Sequence, residues 1–252
     1  DLRLGDTTSA VNRMEILTRR YPNFARGHYS LSLALLADDQ PLLASSSLLK
    51  TLSLQPDHVE AILALSSLEI DQGNLGSAEA RLLKAIEIAP DNHRASILLA
   101  RGHVLEENFS KALELYLSLA EKIPNDPELP YQAALLQFKL GDTDLARKSL
   151  ETSLERNPAY IPALEQVLLL EASEKKFDLA RDRLAPLIEK EPDSAILQFF
   201  SGKLALAQND SQAGISRLKR ALSLDPTLRP ASYALAQTYL AVGDLAEAQA
   251  IL

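Results

Sequence analysis

The chain has 252 residues, of which 46% are hydrophobic and 24% are charged, a composition typical of a folded protein and not of a disordered one. Its 26 basic and 34 acidic residues give a net charge of -8, which argues against nucleic acid as the main partner because phosphate binding needs clustered Lys and Arg. Cysteine is absent, which excludes disulfides, thiolate metal sites and cysteine nucleophiles.

Prolines recur along the chain at a constant interval, with successive members 34 residues apart. They are Pro22, Pro56, Pro90, Pro124, Pro158, Pro192 and Pro226. Proline ends a helix because it lacks a backbone N–H and clashes with the preceding turn, and an apolar pattern restarts after each of these prolines. A fixed period of this length predicts an array of repeated helical units.

Other positions keep the same register. Twelve residues before each proline stands a small residue: Ala10, Ala44, Ala78, Ala112, Ala146, Ala180 and Gly214, with Ala248 one period later. Eight residues before each proline stands a large one: Met14, Leu48, Leu82, Tyr116, Leu150, Leu184 and Leu218, with Leu252 closing the series. A small residue lets two helix backbones approach closely, and the large residue beside it fills the groove between them.

Each unit is predicted to contain two helices. In "VEAILALSSLEIDQG" the apolar residues Ile62, Leu65 and Leu68 have helical spacing, not the alternation of a strand. The glycines between the two helices suit a turn residue with a positive φ: Gly73, Gly141 and Gly243. A small residue also recurs in the first helix of each unit, with Leu168 as the exception: Ser32, Ser66, Ala100, Ala134, Gly202 and Ala236.

In chain order, residues 1–24 are predicted to be a second helix without its first. Six full units follow at 25–58, 59–92, 93–126, 127–160, 161–194 and 195–228, and residues 229–252 form a first helix and most of a second. We therefore expect residues 1–252 to form a single all-α array, an α-solenoid of antiparallel helix pairs. Because the chain starts and stops inside units, we expect the native chain to continue on both sides or partners to cover these ends.

The period, the alanine position, the Leu/Tyr position and the terminal proline resemble those of the tetratricopeptide repeat (TPR) family over the whole chain. The best single unit is "PASYALAQTYLAVGDLAEAQAIL", Pro230 to Leu252. Where the family often has Trp near the start of the first helix, this chain has other residues: His28, Ile62, Ser96, Pro130, Leu164, Gln198 and Ser232. The resemblance implies a right-handed superhelix of helix pairs with a concave inner face.

A second face of each first helix, such as Tyr29, Leu33 and Leu36 at i, i+4 and i+7, lines the concave groove in the family. Carried along the chain, the resemblance predicts these partner-binding residues: Tyr29, Leu33, Leu63, Ile97, Arg101, Tyr131, Leu135, Phe138, Phe199, Lys203, Tyr233 and Gln237. Arg26 and Arg94 join them as candidate polar contacts of the groove. Exposed apolar patches mark interaction sites, and Tyr and Phe are common interface anchors. The alternative is that the apolar residues belong to the core and that the charged residues are solvated.

Chemical motifs are absent from the sequence. It has no phosphate loop and no dinucleotide fingerprint, and its four histidines lack the spacing of a zinc site, so we predict no catalytic, cofactor-binding or metal-binding residues. We expect His103 to be packed between helices, and Asp57 and Asp91 to be helix caps. Pro186, inside a second helix, predicts a kink. The carboxylate clamp of chaperone-binding members of the family is not expected, since of its positions only Arg94 fits.

The predicted function is a non-enzymatic scaffold that binds a protein or peptide segment in its groove without a cofactor. No apolar run approaches the about 18 residues that span a bilayer, so no membrane insertion is expected in this segment. Two alternatives stay open: self-association as a homo-oligomer through the groove or the open ends, and an accessory module of a larger chain whose catalysis lies elsewhere. The style of the repeats also resembles periplasmic TPR regions of bacterial exopolysaccharide export and envelope assembly proteins, which implies the periplasm or cell envelope, with the cytoplasm as the alternative.

Overall fold

The computed structural model describes residues 6–251, and all regular structure in that range is helical. The helices are α1 (Thr7–Arg20), α2 (Ala25–Ala37), α3 (Pro41–Leu54), α4 (Val59–Asp71), α5 (Leu75–Ile88), α6 (His93–Leu105), α7 (Phe109–Lys122), α8 (Glu128–Leu140), α9 (Thr143–Arg156), α10 (Ile161–Ser173), α11 (Phe177–Lys190), α12 (Ala195–Ala207), α13 (Ser211–Leu224), α14 (Arg229–Val242) and α15 (Leu245–Ile251). The predicted all-α class is confirmed.

The chain divides into two compact units, unit 1 (Asp1–Ile123) and unit 2 (Pro124–Leu252). Within each unit the most extensive helix contacts are between neighbours along the chain, so consecutive helices form hairpins. Each unit has its own buried apolar core. The repeat boundaries stay a prediction, since helix ends alone do not define where one repeat passes into the next.

The small residues of the second helices lie at the contact within each hairpin. Ala44, Ala78, Ala112, Ala146 and Ala180 are at most 1% exposed. Gly214 occupies the same position on α13, where a β-carbon would lie 2.3 Å from Cδ2 of Leu206. The predicted close approach of the two helices is therefore observed along the chain, while Leu252 lies outside the described residues.

The joints at the prolines are closed by a backbone hydrogen bond across the turn. The N–H of His58 donates to the carbonyl of Gln55 at 3.2 Å, and Tyr160 donates to Asn157 at 3.0 Å. The prediction that Asp57 and Asp91 cap the following helices is wrong, because each helix begins later in the turn. The caps are the next residues: Nδ1 of His58 accepts from the N–H of Ala61, and Oδ1 of Asn92 accepts from the N–H of Arg94.

The turn inside each hairpin contains one residue in the left-handed conformation. These residues also recur every 34 positions: Asp39, Gly73, Glu107, Gly141, Lys175, Asn209 and Gly243. The three predicted glycines are confirmed, with φ between 78° and 88°. The following N–H donates to the carbonyl five residues earlier, as from Asn74 to Glu69 at 2.7 Å, which satisfies the end of the first helix.

We expect Lys175→Gly to raise the free energy of unfolding by about 0.5–1 kcal/mol. A side chain in the left-handed conformation costs about 1–2 kcal/mol, and the entropy of glycine in the unfolded chain offsets part of the gain. Urea denaturation measures the change. As the reciprocal control, Gly141→Ala should lower stability by about 1 kcal/mol, since its β-carbon would meet no atom within 4 Å and the cost is confined to the backbone. Equal stability of the wild type and both variants would contradict this account.

Candidate functional site

A cleft of about 530 Å³ opens along the first helices α2, α4 and α6 of unit 1. Its lining residues are Tyr29, Leu33, Leu36, Glu60, Leu63, Ala64, Ser67, Leu68, Asp71, Arg94, Ile97 and Leu98. The structure thus brings together five of the predicted groove residues, namely Tyr29, Leu33, Leu63, Arg94 and Ile97. Leu33 is 39% exposed, whereas Leu63 is 1% exposed and belongs to the core around α4, α5 and α6. Leu63 therefore offers a partner almost no surface.

Ion pairs between α4 and α6 stand at both ends of the cleft. Nη1 of Arg94 lies 2.7 Å from Oε2 of Glu60 near the start of the two helices. Nη2 of Arg101 lies 2.6 Å from Oδ1 of Asp71 near the end of α4. All four side chains are largely exposed, so each pair stabilises the fold by only about 0–1 kcal/mol. The middle of the cleft is apolar and its ends are charged.

Tyr29 and Arg26 both lie in the first part of α2, but only Tyr29 lines the cleft. The ring of Tyr29 packs against His58 with centroids 4.7 Å apart. Burial raises the pKa of Tyr29 above its ordinary value, and the Glu60 carboxylate adds to this effect. The phenol therefore stays neutral and can donate a hydrogen bond. Arg26 is exposed and does not line the cleft.

In unit 2 the predicted residues of α8 are half-buried. Tyr131 meets Tyr160 edge-on with centroids 5.7 Å apart, and both Tyr131 and Phe138 pack against the core. Burial raises the pKa of Tyr131, as do the nearby carboxylates of Glu128 and Glu165. Leu135 is also half-buried. These three residues are therefore only partly accessible to a partner.

Phe199 corrects the sequence prediction. It is 5% exposed because it packs against Phe200 and lies beneath Lys203, whose Nζ is 5.4 Å from the ring centroid. Phe199 is therefore a core residue, while Lys203 remains half-exposed. On α14, Tyr233 is 61% exposed and Gln237 is exposed.

Unit 2 contains a cleft of about 450 Å³ that is bordered mainly by small and polar residues. It is lined by Lys203, Leu206, Asn209, Ser211, Ala234, Gln237, Thr238 and Ala241. Two predicted groove residues, Lys203 and Gln237, therefore face one cleft, whereas Tyr233 lies outside its lining.

Our sequence prediction did not identify one repeat position of the first helices at which polar residues are buried. Glu69, His103, Gln137 and Glu171 follow one another at the 34-residue period, and the last three are buried. The periodicity itself was the available signal. His103 is packed as predicted, with Nδ1 3.4 Å from Oε2 of Glu106.

The hydrogen-bond donors to Glu69 and Gln137 lie on the second helix of the same hairpin. Nε of Arg81 donates to Glu69 at 3.0 Å, and Oγ of Ser149 donates to Oε1 of Gln137 at 2.7 Å. The polar position therefore joins the two helices of a hairpin.

Glu171 and its partners form a buried charge cluster. Glu171 is 0% exposed, and its Oε1 accepts from Nη2 of Arg183 at 2.8 Å. Arg183 also donates to both carboxylate oxygens of Glu151, at 2.8 and 3.0 Å. Burial acts to lower the pKa of Arg183, but the hydrogen bonds and charges of the two carboxylates outweigh it and raise the pKa. The guanidinium therefore stays charged and compensates the buried Glu171 carboxylate.

Within residues 6–251, no group of three or more His, Asp or Glu side chains is arranged to hold a metal ion. Over the same range, none of the helices combines the length and the apolar character needed to cross a membrane.

Hairpins of this length, stacked at a 34-residue period around buried small residues, define a helical-repeat protein of the solenoid class. Tetratricopeptide repeat models match residues 1–58, 63–127, 129–160 and 205–252. The chain belongs to the tetratricopeptide repeat family.

Three relatives illustrate the range of this family. The chain is 32% identical to human Protein O-mannosyl-transferase TMTC3 over 133 residues, which are 51% of this chain and only 14% of that protein. A tetratricopeptide repeat protein from Parabacteroides merdae superposes with a TM-score of 0.67 at 18% identity, covering 90% of each chain. YrrB, described as a TPR protein with an unusual peptide-binding site, superposes with a TM-score of 0.51 at 19% identity, covering 75% of this chain and 98% of YrrB. At these identities the two structures show a common fold only.

We expect Arg183→Met to lower the free energy of unfolding by about 3 kcal/mol, because it leaves the Glu171 carboxylate buried without its counter-charge. Denaturant unfolding measures the loss. The double variant Glu171→Gln/Arg183→Met should recover most of it. Arg181→Met is the matched control on the same helix, since Arg181 pairs with Asp178 at the surface and its loss should cost less than about 1 kcal/mol. Similar costs for the two arginine variants would refute a structural role of the cluster.

Proposed function

We propose that the chain is a non-catalytic interaction scaffold whose unit 1 cleft binds an apolar segment of a partner protein. The observation that carries the proposal is the cleft along α2, α4 and α6, in which Leu33 and its apolar neighbours face open space. Burial of exposed apolar surface against a partner is favourable, so an apolar concave site favours binding. Five of the groove residues predicted from the sequence line this cleft: Tyr29, Leu33, Leu63, Arg94 and Ile97.

The charges at the ends of the cleft define the kind of segment that fits. A segment with apolar side chains in its centre would cover Leu33, Ile97 and Leu98. Because the Arg94–Glu60 pair is exposed, it can exchange its internal contact for polar groups of the segment at little cost. The neutral hydroxyl of Tyr29 supplies a donor at the same end.

Similar proteins support this proposal at the level of the fold. YrrB is described as having a peptide-binding site, and it shares the arrangement of helices. The match to TMTC3 covers 14% of that protein, so the transferase activity in its name is not carried over to this chain. We propose no catalytic step here, because His103 and the Glu171–Arg183 pair lie within the helical packing. Oε1 of Glu171 accepts from Arg183, and its buried Oε2 has no hydrogen-bond partner. Catalysis in a larger chain that contains this module is the alternative.

The cellular setting belongs to the same proposal. The style of the repeats favours a bacterial envelope or polysaccharide secretion assembly, and cell fractionation of the full-length protein tests this: a strictly cytoplasmic protein would contradict it.

Self-association through the cleft or the open ends is the alternative mode of binding. Light scattering distinguishes it, because a dimer that dissociates when Leu33 is changed would identify a second copy as the occupant.

We expect Leu33→Ser to weaken partner capture about tenfold, since burial of a leucine contributes about 1.5–3 kcal/mol. Capture is measured with the immobilised protein in lysate of the source organism, and each captured protein is then purified and titrated. Leu49→Ser is the matched control, because Leu49 is an exposed leucine of α3 that does not line the cleft. Equal affinity of the two variants for the captured partner, with unchanged thermal unfolding, would exclude the cleft as the binding site.

A further inference from the structure

A separate apolar pocket lies between the first helices α10 and α12 of unit 2. Its volume is about 110 Å³. It is lined by Glu165, Leu168, Leu169, Ala172, Phe200, Lys203, Leu204 and Ala207. None of these residues lines the unit 1 cleft, and Lys203 alone among them also lines the cleft of unit 2.

The pocket lies beside two positions of α10 at which the usual side-chain sizes are reversed. Leu168 occupies the position at which other first helices have Ser, Ala or Gly. The hairpin of α10 and α11 is correspondingly the least closely packed of the complete hairpins in the described residues. One turn further on, Ala172 occupies the position that holds a large apolar residue elsewhere: Leu36, Ile70, Val104, Phe138 and Leu206. The missing side chain at Ala172 leaves the space that forms the pocket.

The walls and the rim of the pocket differ in chemistry. Leu168, Phe200 and Leu204 form buried apolar walls. At the rim, Nζ of Lys203 lies 3.8 Å from Oε1 of Glu165, and both side chains are partly exposed. A pair of this length and exposure is weak, so its ammonium and carboxylate can bond other groups. A peptide bond offers the complementary carbonyl acceptor and N–H donor.

The size of the pocket limits what can enter it. An apolar cavity of about 150 Å³ stays dry and holds benzene, so a pocket of about 110 Å³ suits a smaller group, such as the four carbons of a leucine side chain. Lys203 also borders the polar cleft that contains Asn209 and Gln237. A chain that leaves the pocket past Lys203 therefore meets polar side chains.

We propose that this pocket is a specificity site for one branched aliphatic side chain of an extended peptide, with polar residues next to it. The proposal rests on the proposed function as a binder of protein segments and adds the chemistry of one anchor. The Glu165–Lys203 pair holds the peptide bond beside the anchor, and Ala172 leaves the room for its side chain. The occupant is thus a partner peptide, not a free apolar molecule.

The test uses N-acetyl-leucine-N-methylamide as the probe and methyl NMR of leucine-labelled protein as the readout. We expect the probe to shift the signals of Leu168, Leu169 and Leu204. The alanine analogue should bind at least tenfold more weakly, because three fewer carbons are buried. No shift at these leucines, or equal binding of the two probes, would overturn the proposal.

Two variants fill the pocket from opposite walls. Ala172→Leu and Ala207→Leu should each weaken binding of the leucine probe at least tenfold, and the folded state of each is checked by thermal unfolding. Ala185→Leu is the matched control, since Ala185 is an exposed helical alanine that lines neither pocket nor cleft. Unchanged binding by both filled variants would place the probe elsewhere and overturn the proposal.

Isobutanol separates a peptide side chain from a free apolar molecule. It should compete weakly, because it lacks the peptide groups that reach Glu165 and Lys203; binding as tight as that of the leucine probe would overturn the assignment to a peptide.

Failure of the pocket proposal and failure of the proposed function remain distinguishable. Leu33-dependent capture without probe binding would refute only the pocket, whereas probe binding without Leu33-dependent capture would refute only the unit 1 cleft.

Discussion

The close approach of two helices at a small residue is the constraint on which this structure depends. The second-helix position holds only Ala or Gly, and Ala44 and Ala146 are completely buried there. At Gly214 even a β-carbon would collide with Leu206. Because the backbones approach here, the large residues one turn away are enclosed, and Leu48 and Leu150 are completely buried. The remaining faces of the first helices stay outside this contact.

The pocket between α10 and α12 lies where one hairpin departs from the common packing. Leu168 and Ala172 exchange large and small side chains relative to the other units, and a pocket opens beside them. At Gly214, by contrast, the side chain of Leu206 on the facing helix fills the space that a β-carbon would occupy. The space is filled at Gly214, whereas it stays open at Ala172. A pocket is retained only where no neighbouring side chain fills the space.

The helices could be predicted from the sequence because one period sets the phase of all of them together. The glycine turns followed from backbone sterics, but the equivalent turns at Glu107 and Lys175 did not, since their side chains give no signal for a left-handed conformation. Glu171 was missed because a charged residue in a helix is normally assigned to solvent. Its burial depends on Arg183, which is distant in sequence and adjacent only in the folded hairpin.

The surface could be predicted only in part, because exposure depends on neighbours that periodicity does not specify. Leu33, Leu63 and Phe199 were assigned to one inner face, yet Leu63 and Phe199 are buried by adjacent side chains. The residues that determine the fold are buried and nearly the same in each unit, so they contain little information about a partner. That information lies in the positions where the units differ, such as Ala172 and Tyr233. Under the proposed function, recognition therefore depends on the variation among the repeats, within a framework that their common residues maintain.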